Sequence, residues 1–124
     1  MARIMIVDDE PDTVITLLEL LRSEGYAAEG FGSGQAALDK LMAFDPDVII
    51  SDIAMPHLSG WDVAKVVREK KGERRPVLIA ISGQYTKGSD KLLAQLKGFN
   101  YYLVKPCDPE MLLSLLRPLA ANLG

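Results

Sequence analysis

Short apolar, mostly β-branched runs alternate five times with stripes of helical spacing along this chain, and that alternation leaves few folds open. The clearest run, Pro46-Asp47-Val48-Ile49-Ile50-Ser51, reads as a buried central strand over 47–51 that meets an acid, Asp52. Pro56, Ser59 and Gly60 then carry the chain into a loop before any helix. Asp52 is therefore placed at the carboxyl end of a central strand, at the mouth of a sheet, where open α/β sheets bind their ligands.

The other elements fall on either side. Ile4 to Val7 predict a first strand ending at Asp8-Asp9. Pro11 suits a first helical position, and Val14, Leu17, Leu18 and Leu21 form one apolar stripe closed by Gly25. Tyr26 to Phe31 predict a second strand, and Ser33 is placed to cap a helix bearing Ala36, Ala37, Leu38, Leu41 and Met42. A helix from about Trp61 to Lys71 turns Val63, Val66 and Val67 inward and Lys65, Arg68 and Lys70 outward, with Gly72 ending it. Pro76 to Ile81 predict a fourth strand stopping at Ser82-Gly83. The polar, glycine-bounded loop 84–88 is expected to be mobile. Ser89 is placed to cap a short helix carrying Leu92, Leu93 and Leu96, closed by Gly98. Asn100 to Val104 predict a fifth strand leading to Lys105-Pro106. The last helix carries Met111, Leu112, Leu115, Leu116 and Leu119, with Arg117-Pro118 weakening its final turn. Five strands alternating with five helices call for a doubly wound α/β fold, a parallel sheet with helices on both faces.

Composition sets the bounds on function. A chain of 124 residues without a linker, low-complexity stretch or longer repeat reads as one domain over 1–124. The net charge of −3 argues against direct nucleic-acid binding, and the longest apolar run, Val77 to Ile81, is too short for membrane insertion. The N-terminal run meets Asp8-Asp9-Glu10 at once, which is a strand ending in acids and not a signal peptide. Cys107 is the lone cysteine, so no intrachain disulfide or cysteine-rich zinc site forms. A cytoplasmic protein is expected.

The strand ends carry the chemistry. Strand 1 ends at Asp8-Asp9, strand 3 at Asp52, strand 4 at Ser82, and Lys105 follows strand 5. With strands 1 and 3 as neighbours, three carboxylates converge and repel one another. A hard divalent cation relieves that repulsion, and magnesium (Mg2+) fits best because one or two carboxylates plus water and phosphate oxygens satisfy it. No histidine cluster or thiolate pair recommends a softer metal. Ser82 and Lys105 add a hydroxyl and an ammonium, the groups that hold phosphoryl oxygens, so the set points to phosphoryl transfer onto a carboxylate.

With Ile6-Val7-Asp8-Asp9-Glu10, Ser51-Asp52-Ile53-Ala54-Met55-Pro56 with Gly60, Ala80-Ile81-Ser82-Gly83 and Tyr102-Leu103-Val104-Lys105-Pro106 in this order, the chain resembles the receiver domain of two-component response regulators, the CheY-like family. The likeness covers essentially the whole chain, and its force lies in all the motifs falling at strand ends together. It implies a flavodoxin/CheY-like sheet of order 2-1-3-4-5 and often a cis bond before Pro106. It implies Asp52 as phosphoacceptor, and Asp8, Asp9, Asp52 and the Ala54 carbonyl around magnesium, with Asp8 acting mainly through water. Lys105 and Ser82 are implied as catalytic partners of the phosphoryl oxygens, and Ser82 and Tyr102 as the switch pair. The implied output surface joins helix 4, strand 5 and helix 5, with Lys87, Lys91, Gln95, Tyr102 and Asp108. The implied donor is a sensor histidine kinase or histidine phosphotransfer protein, and the implied target a downstream protein whose identity stays open. The product is a switch with self-phosphorylation and self-dephosphorylation chemistry and not a turnover enzyme, expected as a monomer with dimerisation left open.

Departures from the commonest pattern bear on the switch. Ser82 keeps the hydroxyl of the more frequent threonine but loses a methyl, and Gly83 loosens a position where alanine is common. Ala54 has no side chain to hold a water, whereas Gln84 has the length to reach the site. Blander readings stand beside these: helix-start acids for Asp8-Asp9, a turn serine for Ser82, packing for Tyr102, a solvent-facing loop residue for His57 and small filler for Cys107. A phosphorylation-independent docking module on the same fold is the alternative function. A haloacid-dehalogenase-like hydrolase is less well matched, because its acids stand two apart and these are adjacent. A flavodoxin-like carrier is disfavoured by the acidic loop after strand 1.

Overall fold

The structure, a computed structural model, describes residues 2–83 and 88–121, the side chains of 88–90 excepted. Among them, five strands alternate with five helices: β1 (Arg3–Val7), α1 (Pro11–Ser23), β2 (Ala27–Phe31), α2 (Gly34–Phe44), β3 (Val48–Asp52), α3 (Gly60–Lys71), β4 (Val77–Ser82), α4 (Gly88–Leu96), β5 (Tyr101–Val104) and α5 (Pro109–Ala121). All strand pairs are parallel, in the order β2-β1-β3-β4-β5. The implied sheet order and the doubly wound class both hold.

Strand alternation divides the core in two. Met5, Val7, Ile49, Leu78 and Ala80 face α2, α3 and α4 through Leu41, Val63, Val67 and Ala94. Ile4, Ile6, Val48, Ile50 and Ile79 face α1 and α5 through Leu17, Leu21, Leu112 and Leu116. Burial on both faces explains the unbroken apolar runs of the central strands.

Local chemistry sets the helix ends. Pro11 opens α1 in its first turn. The Ser33 side chain accepts from the Ala36 N–H at 3.1 Å, and Ser59 and Asp62 form a reciprocal capping box at the start of α3. The peptide bond before Pro106 is cis, as the resemblance implied.

Expectations are corrected at five places. The central strand runs 48–52, so Asp52 is its last residue. α4 begins at Gly88, which places Ser89 inside the helix and not at its cap. The stripe of α4 is largely uncovered: Leu92, Leu93 and Leu96 are 58%, 38% and 77% exposed, and among its described side chains only Ala94 is buried. The helix lies against β5, an edge strand with too little apolar face to cover it. α5 continues through Pro118 to Ala121; so near the helix end, the proline removes one hydrogen bond on a solvent-facing turn. Arg68, placed outward by the helical pattern, is half-buried and hydrogen-bonded across the fold. The predicted loop 84–88 lies outside the described residues up to Gly88, as do Gln84, Lys87 and the Ser89 side chain.

Candidate functional site

The parallel register gathers the chemical groups at one edge. β1 ends at Val7, and the Asp8 N–H donates to the Phe31 carbonyl at 3.1 Å, holding Asp8 against the end of β2. β3 ends at Asp52, paired with Ile81, the residue before Ser82. The Lys105 N–H donates to the Ser82 carbonyl at 3.0 Å, so pairing between β4 and β5 continues one residue beyond the strand and delivers the lysine to the mouth.

There Asp8, Asp9 and Asp52 each offer a carboxylate oxygen within 4.8 Å of the others. Asp8 and Asp52 are buried and Asp9 is exposed. The Lys105 ammonium sits among the acids, 2.8 Å from Asp8 Oδ2, 3.3 Å from Asp52 Oδ2 and 3.4 Å from Glu10 Oε1. Asp52 Oδ1 accepts from the Ile53 N–H at 2.8 Å, and Asp8 Oδ1 from the Glu10 N–H at 2.9 Å. Each buried acid thus has one oxygen fixed by backbone and one turned toward the mouth.

Charge follows geometry. Burial, then the neighbouring Asp8 carboxylate, pushes the Asp52 carboxyl above the usual carboxylate range, while Lys105 opposes the rise. Burial works against the Lys105 ammonium, but its hydrogen bonds and charge pairing with Asp8 and Asp52 outweigh that and raise its pKa. Three carboxylates against one ammonium leave the mouth negative. Hard oxygen donors with an open side are the set that magnesium accepts, so the residues present fit that ion.

A cavity of about 110 Å³ opens here, lined by Asp9, Glu10, Asp52, Ala54, Gly83 and Lys105. Its floor depends on Gly60. A Cβ at that position would meet the Asp52 carbonyl oxygen at 2.3 Å and Ile53 Cα at 2.8 Å, and the Gly60 N–H donates to the Ile53 carbonyl at 2.8 Å. Only glycine lets the loop after β3 fold back this closely.

The structure brings Asp8, Asp9, Asp52, Ala54 and Lys105 together, with Ser82 fully buried at the adjoining strand end. Tyr102 stands apart from the mouth, half-buried against the core on the α4 side. It also lines a groove of about 390 Å³ that includes Lys91, Gln95, Tyr101 and Met111. Of the other implied output residues, Lys91 and Gln95 are exposed. Asp108 is exposed too, but it opens α5, its side chain accepting from the Glu110 N–H at 3.0 Å. Sequence reasoning did not find Glu10 as a partner of Lys105, since its distance in sequence hides the contact. His57 is exposed in the loop after β3, with φ +67°.

Among the described residues, no helix is long and apolar enough to cross a membrane. The family model for the response regulator receiver domain matches residues 4–117. An uncharacterised 14.6 kDa protein of Leptolyngbya boryana is 38% identical over 115 residues, which are 92% of this chain and 86% of that one. The transcriptional regulatory protein PcoR of Escherichia coli is 35% identical over 119 residues, 96% of this chain but 51% of the relative, so this chain spans about half of that protein. The solved chemotaxis protein CheY4 of Vibrio cholerae superposes with a TM-score of 0.88 at 31% identity, covering 96% of this chain and 98% of that one.

Proposed function

The chain belongs to the response regulator receiver domain family of two-component signalling, and from that premise we propose that it is a switch thrown by phosphorylation of Asp52. One observation carries the reading most of the way: the Asp52 carboxylate oxygen that the backbone leaves unbound faces the Lys105 ammonium at 3.3 Å.

The chemistry then follows from this chain's own groups. The Ile53 N–H holds Oδ1 and aims Oδ2 at the mouth. Oδ2 attacks the phosphorus of a phosphohistidine on a sensor kinase or phosphotransfer protein. The oxygen–phosphorus bond forms as the phosphorus–nitrogen bond breaks, and the departing imidazole nitrogen keeps the electron pair. Lys105 exchanges carboxylate partners for phosphoryl oxygens, a charge-assisted contact that strengthens as negative charge accumulates. Magnesium, held by Asp9, Asp52 and the Ala54 carbonyl with Asp8 through water, would neutralise charge on the transferring group.

The response travels from Ser82. Its hydroxyl turns to the phosphoryl group, Tyr102 moves into the space released, and the surface formed by α4, β5 and α5 changes for a downstream protein. The uncovered Leu92 and Leu96 of α4 support a binding role for that side. Since phosphate leaves and arrives only through Asp52, the protein acts as a relay and not as a turnover catalyst.

Borohydride trapping tests the acceptor. An acyl phosphate at Asp52 is reduced to homoserine, and peptide mapping should find homoserine at position 52 alone. Homoserine elsewhere, or none after labelling from a phosphorylated donor, would remove Asp52 from this role.

A further inference from the structure

Arg68 makes no ion pair at the acidic mouth, yet it spends its whole hydrogen-bonding capacity. Its five N–H donors reach five contacts: Nε and Nη2 donate to the Gly98 carbonyl at 3.0 and 2.8 Å, and Nη2 also donates to Asn100 Oδ1 at 2.9 Å. Nη1 donates to the Pro76 carbonyl at 2.9 Å and the Gly72 carbonyl at 3.2 Å. All five contacts are to neutral oxygens. Asn100 extends the knot, its Oδ1 accepting from the Leu78 N–H at 2.8 Å while its own N–H donates to the Leu78 carbonyl at 2.8 Å.

Gly98 is shaped for this partner. Its φ is +109°, and a Cβ there would lie 3.0 Å from Arg68 Cγ. One guanidinium therefore ties together the end of α3, the start of β4, the turn after α4 and the start of β5. Lysine, with a single ammonium, cannot reproduce a fork of this kind.

The knot and the acidic mouth lie at opposite ends of the same strands. Leu78 pairs with Ile49, three residues before Asp52, so the separation is about 10 Å along the sheet. Tyr102, on β5, lies two residues beyond Asn100, which precedes the strand, and Ser82 lies four beyond Leu78 on β4. The two moving parts of the proposed switch thus hang from the clamped end.

We propose that Arg68 is a positioning residue of the switch, pinning the α4–β5 turn to α3 and β4 so that the response to a phosphoryl group at Asp52 stays confined to the ends of α4 and β5 nearest Ser82. This rests on the switch reading above. Without the clamp, α4 and β5 shift together, and the change spreads through residues 97–100.

Hydrogen exchange with and without magnesium beryllofluoride tests this in wild type, Arg68→Ala, Arg68→Lys and Asn100→Ala. In wild type the mimic alters exchange at the start of α4 and in 101–104 but leaves 97–100 unchanged. In Arg68→Ala the amides of 97–100 exchange about tenfold faster, and the mimic's effect extends into them, while labelling of Asp52 by acetyl phosphate stays within about twofold. Arg68→Lys falls between, and Asn100→Ala repeats the spread. A purely structural role would lower stability yet leave the mimic's effect confined as in wild type, and that result overturns the proposal. Should Arg68→Ala fail to fold, Arg68→Lys and Asn100→Ala decide by the same criterion. Absence of any wild-type adduct or mimic response would instead count against the switch reading itself.

Discussion

Lys105 leans toward Asp8, at 2.8 Å, and away from Asp52, at 3.3 Å, so the ammonium is stored on one acid while it faces the other. Replacing it by methionine leaves two buried carboxylates without their shared cation. Lys105→Met should lower stability at neutral pH by roughly 3–5 kcal/mol, the range for removing one partner of a buried charge pair, and urea titration checks it. The deficit should shrink in acid as the Asp52 carboxyl, whose pKa is raised by burial and by the Asp8 carboxylate, takes up a proton. In wild type the raised Lys105 pKa means that this stabilisation is complete below the unfolded lysine value of about 10.4 and is lost as pH climbs through the higher folded value.

Asp52 works in the opposite sense. Its folded carboxyl titrates above the unfolded one, so the folded state binds more protons between the two values and stability falls as pH rises through that window. Asp52→Asn should therefore be more stable than wild type at neutral pH, with the advantage vanishing below about pH 3.9. Thermal melts in chelator across that range check both sign and window.

Magnesium should stabilise the protein, because the acidic cluster of Asp8, Asp9 and Asp52 proposed to hold it is assembled only on folding. At a concentration of about a hundred times its Kd the gain is about 2.7 kcal/mol. Asp9→Asn and Asp52→Asn should each lose most of it, which differential scanning calorimetry with and without chelator resolves.

Gly60→Ala should cost roughly 2–4 kcal/mol, because its Cβ overlaps the Asp52 carbonyl at 2.3 Å and backbone must move to admit it. The displaced atoms belong to Asp52, the proposed phosphoacceptor, so acetyl phosphate labelling should slow as well. A melt unchanged within about 0.5 kcal/mol would show that the loop yields freely.

Much of the site is legible in the sequence because the strands are short and end where polar residues begin. Asp8, Asp52, Ser82 and Lys105 each follow an apolar run, and parallel pairing carries all four to one edge. Contacts between residues far apart in sequence are not legible. Nothing local to Glu10 announces Lys105, and the helical pattern around Arg68 records only that a cation is spaced outward. That pattern also misleads at α4, where Leu92 and Leu96 repeat at core spacing but lie beside an edge strand too narrow to cover them.

Intact-mass spectrometry after incubation with magnesium and acetyl phosphate tests the central claim most directly, run side by side on wild type and Asp52→Asn. The account predicts one added phosphoryl group on wild type, dependent on magnesium, and none on the variant. An unmodified wild type would contradict it and leave the fold as a docking module whose Asp52 is a structural acid, and an equal adduct on Asp52→Asn would contradict it by placing the phosphoryl group on another residue.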